Sequence, residues 1–208
     1  MLVSQGFDAA LAGVLGLLVG SFLNVVVYRT PVMMYRQWLN DAVGNLAKVE
    51  GIPSLWSLVF GPKADTPPAL EAAADEAAKT LDALPPFNLS RPASRCGHCG
   101  APIRFYQNVP VLSYLFLRGR CASCKTPISV RYPIVELVTG ALFALCAWRF
   151  GLSLTGALWA AFAALLICQF LIDLDTQYLP DSINYVLLWL GLIGAAAGLT
   201  GVSLPSAV

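Results

Sequence analysis

Residues 152–184 read LSLTGALWAAFAALLICQFLIDLDTQYLPDSIN, and this stretch decides the class of fold. Positions 152–172 hold no charged side chain, and about 20 apolar residues of helix cross a hydrocarbon core of roughly 30 Å. The run then stops on Asp173, Asp175 and Asp181. It therefore reads as a membrane helix ending in an acidic corner.

Working outward, the 208-residue chain is 57% hydrophobic and 12% charged, outside the range of ordinary soluble domains. Three further apolar runs stand at 9–28, 133–149 and 183–199. The second and fourth are short and need tilt or local bilayer thinning. The first, AALAGVLGLLVGSFLNVVVY, is read as a retained helix and not a signal peptide. No Lys or Arg precedes it, the apolar part is too long, and no small-x-small cleavage site follows. The expected fold is an all-α polytopic membrane protein of about four transmembrane helices.

Twelve of the thirteen Lys and Arg lie between Arg29 and Arg131, in the segment separating the first two spans. Arg29, Arg36, Arg118, Arg120, Lys125 and Arg131 flank the helix ends, so this segment is expected in the cytoplasm and the N-terminus outside. Asp41, Glu50, Asp65, Glu71, Asp75, Glu76 and Asp82 offset much of the basic charge, which argues against nucleic acid as a partner. The predicted domains are 1–31, first span and flank; 32–90, a spacer; 91–132, a cysteine module; and 133–208, the remaining spans. Within the spacer, PALEAAADEAAKTLDAL is bounded by prolines and predicts an amphipathic helix. No internal repeat is expected.

Cys96, Cys99, Cys121 and Cys124 form two C-x2-C turns separated by 21 residues. Each such turn aims two sulfurs at one centre, which suits tetrahedral coordination by four thiolates. The expected ion is a structural zinc, with iron as the competitor; a reducing cytoplasm argues against a pair of disulfides. His98, the only histidine, is a bystander because four thiolates already fill the shell. Cys146 and Cys168 fall in apolar helices and read as small fillers.

Glu136 enters the second span, where a carboxyl group implies either a functional or pairing role or an interfacial position reaching water or an arginine. Ser21 and Asn24 in the first span suit interhelical hydrogen bonds. On one continuous helix Asp173 and Asp175 lie about 200° apart, so both cannot face the bundle. Asp173 is the candidate to face inward. Asp181, after Pro180, is placed to cap the next helix. An ordinary polar interfacial loop would carry the same three residues.

These motifs together resemble the type IV prepilin peptidase family. The matching stretches are GSFLNVVVYRTP at 20–31, FNLSRPASRCGHCGAPI at 87–103, NVPVLSYLFLRGRCASCKTPISVRYPIVEL at 108–137 and IDLDTQYLPDSIN at 172–184. The resemblance implies a bifunctional enzyme of the bacterial inner membrane. Such an enzyme cleaves the leaders of prepilins and pseudopilins at the cytoplasmic face and methylates the new N-terminus with S-adenosylmethionine. It maps the first catalytic aspartate onto Asp173, with Leu179, Pro180 and Asp181 in supporting positions; Asp175 and Glu136 are further supporting candidates, and the family gives the second catalytic role to none of these carboxylates.

The family's second catalytic aspartate lies in a G-x-G-D motif that these residues do not contain. The expectation is an N-terminal portion of such an enzyme, without cleavage activity by itself. No Rossmann-type glycine fingerprint marks a site for S-adenosylmethionine. Gly119 could let a ligand approach the backbone, or could be a turn glycine. Two other functions fit the residues: a non-catalytic zinc-containing membrane scaffold, and an ion-coupled transporter, the latter weakened by the lack of an inverted repeat.

Overall fold

The computed structural model describes residues 2–46 and 54–207; residues 47–53 of the expected spacer lie outside the described residues. Among the described residues the chain is helical, with two isolated β-bridges and no strand. The helices are α1 (Leu2–Leu46), α2 (Leu55–Phe60), α3 (Pro68–Asp82), α4 (Leu112–Phe116), α5 (Arg131–Phe150), α6 (Leu154–Thr176), α7 (Asp181–Ala196) and α8 (Leu204–Ala207). A single 3-10 turn occupies Phe105–Gln107.

Three helices, α1, α5 and α6, are long and apolar enough to cross a membrane. The fourth expected span, α7, has 16 residues and is about 24 Å long, short of the roughly 30 Å hydrocarbon layer. A second difference concerns α1, which runs past the expected end at residue 28, through Pro31, to Leu46. Pro31 removes one backbone donor, but residues 32–46 contain Met, Leu, Arg, Gln and Ala, good helix formers that carry the helix past it.

Contacts divide the chain into two compact units, one of residues 1–31 with 93–208 and one of residues 32–92. In the second unit, Arg36 donates to the Pro85 carbonyl at 3.1 Å and lies 4.8 Å from the centre of the Phe87 ring. Its amphipathic helix α3 starts on Pro68, carries Glu71 in the first turn and Lys79 in the last, and buries Ala74. These placements complement the helix dipole.

The first unit is built around small residues. On α1, a Cβ at Gly16 would stand 2.8 Å from the Gly140 Cα of α5, and one at Gly20 would stand 2.7 Å from the Glu136 Cα. Backbone meets backbone there, the arrangement that gives membrane helices their dispersion contacts. On α6 the buried Gly156, Ala160, Ala164, Cys168 and Ile172 recur every fourth residue, forming one stripe. Of these, Ala160, Ala164, Cys168 and Ile172 join Leu23 and Val27 of α1, Phe143 and Ala147 of α5, and Ile183 of α7 in one core.

The α5–α6 turn is short because its ends are capped. The N–H of Gly151, at φ +69°, donates to the Ala147 carbonyl, and Ser153 accepts from the Gly156 N–H. Cys168 is buried and Cys146 half-buried in this helical layer, as expected of apolar fillers.

Candidate functional site: a tetracysteine centre and an acidic corner

The cysteine module is made of two matching turns. Arg95 and Pro102 form an isolated antiparallel bridge around the first knuckle, and Arg120 and Pro127 form the same bridge around the second. In the first, the Cys96 N–H donates to the Ala101 carbonyl at 2.9 Å; in the second, the Cys121 N–H donates to the Thr126 carbonyl at 2.9 Å. The turn then closes through a residue of positive φ, Gly100 (+70°) in one and Lys125 (+61°) in the other. This corrects the expectation that the chain has no repeat. R-C-x2-C-x2-P occurs at 95–102 and again at 120–127, a signal too short to stand out against 208 residues.

The two turns bring the four Sγ atoms within 4.8 Å of one another, with Cys96 and Cys124 3.8 Å apart. A tetrahedral zinc–thiolate centre needs sulfur–sulfur distances of about 3.8 Å, so the cluster can hold a metal ion. The surroundings act on the sulfurs unequally. Backbone N–H groups of Cys99 and His98 lower the Cys96 thiol below its usual range. The Thr126 hydroxyl and then its N–H bring Cys124 down to about 5. At Cys99 the Ala101 N–H also acts to lower the value, but the Cys124 thiol, desolvation and the remaining sulfurs outweigh it and push Cys99 up to about 11. Thiols packed this closely share their protons, and a cation relieves that conflict. His98 is exposed and is not one of the four clustered ligands.

Gly119 is a turn glycine. Its φ is +64°, and a Cβ there would lie 2.8 Å from the Tyr114 hydroxyl. The group that approaches its backbone is this chain's own tyrosine, so Gly119 offers no cradle to a cofactor.

Glu136 has a specific partner. It is 8% exposed, and its Oε2 accepts from the Val111 N–H at 2.7 Å. Val111 has φ 60° and ψ −47°, and the Leu112 N–H donates to the Pro110 carbonyl at 2.5 Å. That geometry is a γ-turn of the strained hand, unusual for a β-branched residue. Thus Glu136 ties the module to α5, a contact absent from the sequence-based alternatives of water or arginine. Nearby, Asn24 of α1 donates to the Tyr132 carbonyl at 3.2 Å, an interhelical bond of the expected kind.

At the acidic corner the three aspartates separate. Asp175 pairs with Arg131 at 2.8 Å, and the same guanidinium reaches the Leu171 carbonyl at 3.3 Å. Asp181 is the first residue of α7 and Pro180 its N-cap, with no side-chain cap bond. The expected capping role is therefore replaced by a place in the positive first turn.

Asp173 lies in the last turn of α6 and is exposed. It does not face the bundle, because Ile172, with 0% exposure, takes that position and the next residue is turned about 100° away. Among the described residues the Asp173 side chain makes no hydrogen bond; only its carbonyl accepts, from the Gln177 N–H at 2.8 Å. One turn earlier, Gln169 is buried and donates to Asn184 of α7, while its Oε1 has no partner. No sequence expectation concerned Gln169, although it interrupts an otherwise apolar run.

Comparison with known families now bears on this layout. The profile described as "Bacterial Peptidase A24 N-terminal domain" matches residues 14–150, and that of the "Type IV leader peptidase family" matches 160–208. Relatives named prepilin leader peptidase/N-methyltransferase include one from Neisseria gonorrhoeae, 46% identical over 92% of this chain and 57% of the relative. The Pseudomonas putida relative is 44% identical over 99% of this chain and 60% of its own length, and that of Aeromonas hydrophila 38% over 85% and 51%. The chain thus spans little more than half the length of these relatives. No solved structure matches. With the first profile covering the cysteine module and α5, and the second the acidic corner, the chain belongs to the peptidase A24 family of type IV prepilin leader peptidases.

Proposed function

We propose that this chain carries one half of an aspartic peptidase site that cleaves prepilin and pseudopilin leaders at the cytoplasmic face of the bacterial inner membrane. The observation that supports it best is the division of labour among the aspartates. Asp175 is engaged by Arg131, whereas Asp173 and Asp181 are both exposed with no side-chain partner among the described residues. Of these two, Asp173 is the one onto which the family resemblance places the catalytic carboxyl group.

In an aspartic site two carboxyl groups share a proton, one drawing a proton from the attacking water and the other protonating the departing amine. Asp173 supplies one of these; the family's second belongs to a G-x-G-D motif outside these 208 residues. Arg131, held by Asp175, pins the end of α6 to the start of α5 and positions Asp173 without touching substrate. Basic residues beside the ends of the spans support a cytoplasmic module and an external N-terminus. Zinc held by Cys96, Cys99, Cys121 and Cys124 supplies structure to the module. S-adenosylmethionine would supply the methyl group for the new amine, but Gly119 does not fit it and no residue is assigned to that step.

The test joins this chain to the G-x-G-D-containing helices of a relative and follows prepilin cleavage in membranes. Cleavage is expected in the chimera and absent from the chain by itself. It should fall about a thousandfold or more with Asp173→Asn and less than about tenfold with Asp175→Asn. Full activity of the Asp173→Asn chimera would overturn the assignment. Prepilin binding without cleavage in every arm would favour a membrane scaffold.

A further inference from the structure

From Ala83 to Val135 the chain contains no Asp or Glu, while Arg91, Arg95, Arg104, Arg118, Arg120, Lys125 and Arg131 all fall within it. The acidic residues that balance the chain lie elsewhere, seven of them between Asp41 and Asp82. The same basic stretch exposes its large apolar side chains. Phe105 is 88% exposed, Phe116 84% and Leu115 64%, with Leu112 and Tyr106 each more than half exposed.

On α4 the exposed Leu112, Leu115 and Phe116 stand at i, i+3 and i+4, one face of a helix. To one side of that face lies buried Ser113, whose hydroxyl is 2.6 Å from the Val109 carbonyl and 3.4 Å from that of Tyr106 in the 3-10 turn. The 3-10 turn and α4 are thereby fastened together, with their apolar side chains left outside.

We propose that this face of the cysteine module is a docking surface for the bilayer that the helices cross, seated in its interface and drawn there by anionic phospholipid headgroups. Two observations choose this occupant. The first is continuity with the membrane-spanning part. The Glu136–Val111 bond fixes the entrance of α4 beside a point five residues into α5, about 7.5 Å along that helix.

Leu112, Leu115 and Phe116 therefore start level with the end of a span whose Ile134 and Leu137 are themselves more than half exposed. An apolar face at that level meets lipid without any separate association step. The second is charge. Arg118 and Arg120 directly follow α4 and are exposed, and basic residues beside inserted aromatic and aliphatic groups are the composition of an interfacial segment. The strained γ-turn at Val111 then has a role, since it sets the angle at which α4 leaves the loop. This proposal needs the spans but not the peptidase assignment.

The test places the photoreactive p-benzoylphenylalanine at Phe116 of the full chain in nanodiscs, either phosphatidylglycerol with phosphatidylcholine or phosphatidylcholine alone. After irradiation, adducts are read by mass spectrometry, with the same group at Leu137 as the in-membrane reference. In the anionic discs the phospholipid adduct at Phe116 is expected within about threefold of that at Leu137. It should fall about fivefold or more without phosphatidylglycerol, or in Arg118→Gln/Arg120→Gln.

A lower yield at Phe116, equal yields in the two kinds of disc, or adducts to another protein would each overturn the proposal. Metal content reports whether the double variant is folded. Should it lose the metal, the comparison of discs with the unsubstituted arginines decides.

Discussion

Glu136 illustrates how one side chain carries two burdens. It sits where α1 and α5 touch, and it satisfies a backbone donor forced outward by the γ-turn at Val111. Glu136→Ala leaves that N–H without its acceptor and opens a space, so a loss of about 2 kcal/mol is expected. Glu136→Gln keeps an acceptor of the same reach and should cost less than half as much. Thermal or denaturant unfolding in micelles separates the two, and equal losses would show that the Val111 bond contributes nothing.

Lys125 is a simpler case. It holds φ +61° at the position where the matching knuckle has Gly100. Lys125→Gly should stabilise the metal-bound module by up to about 1 kcal/mol, and Gly100→Ala should destabilise it by a similar amount.

At the level of elements, the α1–α5 contact depends on the absence of side chains. Gly20→Leu must drive α1 away from the Glu136 and Thr139 backbone and side chain, which stand 2.7 to 3.1 Å from the added Cβ. A cost of about 3 kcal/mol, near the upper end for overpacking, is expected, together with weakened protection of the Val111 N–H in hydrogen exchange. Gly6→Ala, on the same helix with nothing within 4 Å of its added Cβ, should be neutral or slightly stabilising. If both substitutions behave alike, the close approach is not what holds the helices. The α6–α7 corner adds polar contacts to its share of the core, through Gln169, Asn184 and the Leu179 carbonyl. These explain why a short α7 still packs against α6.

For the whole molecule, the cysteine module and the helical layer are held by different means. The helices share a core of buried residues drawn from α1, α5, α6 and α7, and the knuckles contribute none to it. A metal ion held by the four cysteines is therefore expected to stabilise residues 95–128. One zinc per chain is expected by elemental analysis, lost in Cys121→Ser. Chelation should abolish amide protection in 95–128 while α5 and α6 keep theirs. A metal-free chain with an unchanged exchange pattern would refute this.

Much of this organisation can be read in the residues alone because the causes are local. A run such as 152–172 is a membrane helix through its own hydropathy, and C-x2-C turns converge through their own backbone. The motif singles out Asp173, but a count of degrees around a helix does not say which face the neighbours will cover. The helix beyond Pro31 is hidden in the sequence because a proline reads as a boundary, although one lost hydrogen bond does not end a helix whose following residues favour it. The repeat of the two knuckles is faint in the sequence because eight residues with four matching positions carry little weight without their bridges.

The sequence by itself determined that this protein is helical and membrane-spanning, that four cysteines gather, and that an acidic motif follows a span. Only the tertiary structure decided that Asp175 belongs to Arg131, that Glu136 answers to Val111 and that glycines let α1 lie against α5. The physical reason is range: hydropathy and turn geometry act over a few neighbouring residues. Those pairings join groups 25 to more than 100 positions apart, where many partners are chemically equivalent and packing selects one.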